Sequence, residues 1–169
     1  MDGSTQAVVG SSGEARMATF TQRLAGTFGL GRLPEAQRVQ LELEGRLRYL
    51  AEGIWETAIL RDYRHCRFPQ AYCLARRMGF IGYFALSERR LIAKAKAYNE
   101  INVNVAYEEP RFKAMTFTVR PKYLALTFDA SAQSSEDSGQ IEIRLHLPDI
   151  AFAAKILEQA GAQMESSAR

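Results

Sequence analysis

The stretch "IEIRLHL" constrains this chain more than any other. Ile141, Ile143, Leu145 and Leu147 alternate with Glu142, Arg144 and His146, so an extended backbone puts all four apolar side chains on one face. "INVNV" (Ile101, Val103, Val105), "MTFTV" (Met115, Phe117, Val119) and "LALTF" (Leu124, Leu126, Phe128) repeat the rhythm. Strict period-two alternation marks antiparallel strands with one dry face and one wet face. Turn signals separate them, "RPKY" after Val119 and "SAQSSEDSG" after Ala130. Upstream, Trp55–Arg67 reads as a first long extended run, and Phe80–Leu86 and Leu91–Ala97 flank a turn at Ser87–Arg90. Seven strands are expected, although "EGIWETAIL" fits either the start of the first strand or the end of the preceding helix.

A helix is expected on each side of the strands. Pro34 suits a first helical position and Glu35 the positive end of the dipole. Val39, Leu43, Leu47, Leu50 and Ile54 recur at helical spacing, and Gly53 is placed as the stop. Glu42–Arg46 and Glu44–Arg48 then sit four apart on the wet face. At the other end Asp149 is a candidate N-cap for "IAFAAKILEQAG", with Ile150, Ala153, Ala154 and Leu157 inward and Gly161 as terminator.

The expected organisation is therefore a flexible segment over 1–33, an amphipathic helix over 34–53, a β domain over 54–161 and a flexible tail over 162–169. Residues 15–34 contain no acid, and Arg16, Arg23 and Arg32 interleave with Phe20, Leu24, Phe28 and Leu30. That composition fits a membrane-surface or targeting segment, or a linker, which the helix-weakening Gly26, Gly29 and Gly31 favour. No apolar run is long enough to span a bilayer, and the start lacks the basic and apolar regions of a secretory leader, so a cytoplasmic protein is expected. Cys66 and Cys73 are then reduced thiols.

The organisation of helix, seven strands and amphipathic C-terminal helix resembles the pleckstrin-homology (PH) superfold. "LSERRLI", Leu86 to Ile92, is similar to the hairpin of bacterial PH-like and GRAM-like domains, and the resemblance covers roughly 55–161. It implies a mainly β fold with helices, a seven-stranded antiparallel barrel capped by the C-terminal helix. It also implies a protein-association or anionic-lipid role, as adaptor or scaffold. Ser87 is expected to bond the local backbone in the turn, with Arg89 and Arg90 laying stems over the barrel. The alanines 93, 95 and 97 would share a face close to a packed helix, leaving Lys94 and Lys96 solvated.

Charge is uneven. Residues 61–96 hold nine Lys/Arg and two Asp/Glu, while the segments on either side are mildly acidic. Such a patch attracts lipid headgroups, nucleic acid or an acidic protein, although edge-strand charges also serve solubility alone. Arg61, Arg64, Arg67, Arg76, Arg77, Lys94 and Lys96 are the anion-binding candidates. Arg61, Tyr63, His65 and Arg67 share strand parity, with Arg76 and Arg77 returning opposite. In the PH resemblance this hairpin would hold phosphates, but the usual lysine-led motif is missing, since no Lys precedes Lys94. Val39, Leu43, Leu47 and Leu50 are the candidates for a face that meets a protein partner or a second copy. Aromatics between the arginines, Tyr63, Phe68, Tyr72, Phe80, Tyr83 and Phe84, make nucleic-acid binding the alternative.

Nothing points to catalysis. His65, Cys66, Cys73 and His146 fit no paired-ligand spacing for zinc, so no metal is expected. Neither cysteine has an identifiable base, "GTFGLGR" lacks the context of a phosphate loop, and Glu108-Glu109 reads as a solvated turn. No cofactor and no small-molecule substrate are implied.

Overall fold

The computed structural model describes residues 31–65, 73–95 and 101–165, with backbone alone at 65, 73–76, 95 and 101. Among them the protein is mainly β: one curled half-barrel sheet of eight strands, with three helices. The chain runs α1 (Glu35–Glu44), β1 (Leu47–His65), β2 (Cys73–Ser87), β3 (Arg90–Ala95) and β4 (Ile101–Ala106). It continues through α2 (Pro110–Lys113), β5 (Thr116–Arg120), β6 (Tyr123–Asp129), β7 (Asp137–Leu145), α3 (Ile150–Gln159) and β8 (Gln163–Glu165). The strand order is β4-β3-β2-β1-β7-β6-β5-β8. All neighbours are antiparallel except β5 and β8.

The period-two expectation is met on the inner face. Val103 and Val105, Met115 and Phe117, Leu124, Leu126 and Phe128, and Ile141, Ile143 and Leu145 are all buried in one core. α3 closes one end of it with Ala153, Ile156 and Leu157. Asp149 caps α3 by accepting from the Phe152 N–H at 2.9 Å, and Gly161 follows its end at φ +78°. Tyr107, leaving β4, packs on Phe112 of α2, and its hydroxyl donates to the Ser87 carbonyl at 2.9 Å. The Ser87 hydroxyl in turn accepts from the Arg89 and Arg90 amides, which fixes the β2–β3 turn.

The expected helix over 34–53 is corrected. α1 stops at Glu44, where the Gly45 N–H donates to the Leu41 carbonyl, and β1 begins at Leu47. The 47–54 stretch imitates helical spacing because β1 slips register twice, between Leu47 and Tyr49 and between Glu52 and Ile54. Gly53, at φ +62°, makes the second slip, so the inward residues change from Tyr49 and Ala51 to Ile54, Ala58 and Leu60. Leu47 and Leu50 face outward, against a second cluster of Leu33, Leu41, Tyr83, Ala85 and Ile92. Leu41, off the expected stripe, anchors α1, whereas Val39 and Leu43 are 45% and 84% exposed. The expected Glu42–Arg46 and Glu44–Arg48 pairs fall away with the helix; Glu44 instead binds Arg90 Nε at 2.6 Å.

Two further boundaries move. Leu33 is buried and Gly31 bonds the sheet, so the fold starts before residue 34. β8 uses residues assigned to the tail and raises the strand count to eight among the described residues. α1 packs over Ile92, on the face of β3 opposite Ala93, and Ala93 is buried in the core that α3 also enters.

One inward position breaks the apolar pattern. Glu56 is fully buried, and neither carboxylate oxygen has a hydrogen-bond partner. A Cβ at Gly82 would lie 2.5 Å from Glu56 Oε1 and 2.1 Å from the Lys94 carbonyl oxygen, so glycine there makes room for the acid and for the curl of the sheet. Burial pushes the Glu56 carboxyl well above the usual carboxylate range. Below about pH 4.5 the acid is protonated both folded and unfolded. As pH rises further, only the unfolded carboxyl ionises, and stability falls until the folded value is passed. Glu56→Gln is therefore expected to raise the melting temperature near pH 7, with the difference from the native chain shrinking towards pH 4. An offset that is the same at both pH values would contradict an uncharged Glu56.

Candidate functional site

The outer face of the sheet carries a groove of about 510 Å³ where residues 31–34 cross β1 and β2. Its wall is held firmly. The Gly53 N–H donates to the Gly31 carbonyl at 2.9 Å, and the Leu33 N–H to Glu52 Oε1 at 2.9 Å. Arg38 reaches the same Glu52 oxygen at 3.3 Å. Gly31 sits at φ +70°, and a Cβ there would lie 2.6 Å from the Gly82 carbonyl oxygen, so only glycine allows the approach. The wall ends at Pro34, the residue preceding α1, whose N-terminus no side chain caps.

The floor is Trp55 lying against Gly79. A Cβ at position 79 would meet the indole at 2.4 Å, so the ring rests on bare backbone. Tyr83 closes one side, with its hydroxyl donating to Gln37 Oε1 at 2.7 Å. Arg32 stands on the wall and Lys94 on the neighbouring strand β3, paired opposite Tyr83. Among the described residues no acid lines the groove.

The structure places the candidate cations unevenly. Arg61 pairs with Glu142 at 2.8 Å, and the same carboxylate holds Arg144 at 2.7 Å, with the Arg144 guanidinium 5.0 Å over Tyr123. Glu142 thus compensates two arginines at once. Arg77 is exposed on the same outer face, opposite Ile59 and two residues along β2 from Gly79, but does not itself line the groove. Arg64 is exposed beyond a kink. The expected shared parity of Arg61 and Tyr63 does not survive that kink, and the His65 side chain lies outside the described ones. Asp62 adopts φ +50° against Gly139, the β1–β7 register shifts there, and Tyr63 packs on the core. Arg67 and Lys96 lie outside the described residues, and Arg76 is described by its backbone register opposite Leu60 alone. Of the four candidates whose side chains are described, Arg61, Arg64, Arg77 and Lys94, Lys94 lines the groove.

Of the partner-face candidates, Val39 and Leu43 are exposed on α1, while Leu47 and Leu50 are partly buried under it. No three His, Cys, Asp or Glu side chains group to hold a metal among the described residues, and His146 lies 5.8 Å from the Tyr123 ring. No described helix is long and apolar enough to cross a membrane. No family model, no curated protein and no solved structure matches the chain.

Sequence reasoning missed Trp55 and Gly79, and had Arg32 only within a stretch read as a membrane-surface segment or a linker. The single tryptophan read as one more strand residue. The available signal was the pairing of that tryptophan with glycines on the next strand, which only the β1–β2 register reveals. Gly79→Ala should push the indole off the backbone, costing about 1–3 kcal/mol as overpacking and shifting the tryptophan emission to the red. Unchanged emission and stability would mean the ring does not rest on Gly79.

Proposed function

We propose that this chain is a non-enzymatic interaction module of PH-like organisation whose outer groove meets an anion-bearing surface. The strand order supports the PH-like reading: β1 pairs with β2 on one side and β7 on the other, and an amphipathic helix follows β7. The observation that carries the functional reading is the placing of Arg32 and Lys94 around one concavity floored by Trp55. Guanidinium and ammonium groups beside an aromatic surface suit an anionic group attached to something apolar, because charge and ring contact act together. A lipid headgroup at a membrane surface has that character, and a peripheral cytoplasmic role follows.

The full chain should co-sediment with vesicles of mixed phosphatidylserine and phosphatidylcholine and stay in solution with phosphatidylcholine alone. Arg32→Glu and Lys94→Glu should each weaken pelleting about tenfold or more, with added salt acting in the same direction. Equal pelleting with neutral vesicles, or charge reversals without effect in folded protein, would overturn the proposal.

A further inference from the structure

We infer that the groove is a receptor for a flat aromatic anion, a planar ring system bearing one carboxylate or phosphate. This inference rests on the groove being a binding site and names its ligand.

Size comes first. A volume of about 510 Å³ lies within the range of small-molecule sites and is small for a polymer. Shape narrows the class. Gly79 contributes no side chain to the floor, and the indole of Trp55 packs directly against its backbone, so the groove offers an aromatic surface beside Tyr83. A planar ring fits such a floor by offset stacking, whereas a branched aliphatic body leaves gaps. Charge sets the remaining requirement. Arg32 and Lys94 line the groove, and no acid does so among the described residues. An anion is favoured and a cation disfavoured.

Residues 15–34 contain no acid and carry Arg16 and Arg23, so that stretch of the sequence supplies no anion of its own. The groove is not merely the far side of a core defect. Glu56 lies on the inner face behind Gly82, separated from it by the backbone of β2.

The sole tryptophan makes the test direct, since the chain has one indole N–H resonance and it belongs to the floor of the groove. The ¹⁵N-labelled full chain is titrated separately with 2-naphthoate, adenosine monophosphate, uncharged 2-naphthalenemethanol and inorganic phosphate. A saturable indole shift is expected with at least one of the two aromatic anions. The neutral alcohol should bind about tenfold more weakly or worse, and phosphate alone should leave the indole unmoved. An Arg32→Gln/Lys94→Gln double variant that keeps the native spectrum elsewhere should lose about tenfold in affinity for the anion that binds.

No saturable shift with either aromatic anion overturns the inference. So does equal affinity for the neutral alcohol, an equal shift with phosphate, or a double variant that binds unchanged. Vesicle pelleting separates this outcome from the broader reading. Pelleting that depends on Lys94 without any indole shift overturns the ligand class alone. An indole shift without pelleting supports the ligand class and overturns the membrane-surface role.

Discussion

The structure depends on one strand belonging to both halves of the sheet. β1 runs for 19 residues, pairs with β2 along nearly its whole length, and pairs with β7 from Glu56 onward. Every backbone group from Glu56 to Arg61 therefore lies between two ladders, and among the described strands β2–β4 and β5–β8 are joined in the sheet through β1. A strand of that length, about 60 Å if straight, has to curl to enclose a core. The curl is supplied by its register slips and by close backbone contacts at Gly31, Gly53 and Gly82.

The same contacts create the groove. Gly53 turns the inward set of β1 by one residue, and its amide holds Gly31, so the segment before α1 is laid across the outer face. Gly82 receives the Gly31 backbone on one side and the Glu56 carboxyl on the other. The outer site and the unpartnered inner acid are thus consequences of one thin place in the sheet. An uncompensated carboxyl in an apolar core costs stability, and its protonation is what limits that cost.

The alternating strands were legible because a period of two with sets of three or four apolar residues has one economical burial. Ile141 to Leu147 and Leu124 to Phe128 needed no tertiary information. The α1–β1 boundary was not legible, because a strand with two slips spaces Leu47, Leu50 and Ile54 as a helix does. The same kind of kink at Asp62 parted Tyr63 from Arg61, and long-range pairing engaged Arg61 with Glu142, 81 residues away. Charge counts along the chain cannot register such a pairing. The groove was hidden for a related reason: its parts, Arg32, Trp55, Gly79 and Lys94, come from four separate stretches brought together by register.

Residue-resolved native-state hydrogen exchange tests the central claim, that β1 ties both halves into one cooperative unit. The amides of Ala58 and Leu60 should be among the slowest, and those of Phe84 on β2 and Leu126 on β6 should open with the same free energy and the same denaturant dependence. If the β5–β7 amides open well before those of β1–β3, with a smaller denaturant dependence, the two halves are separate units and the account is wrong.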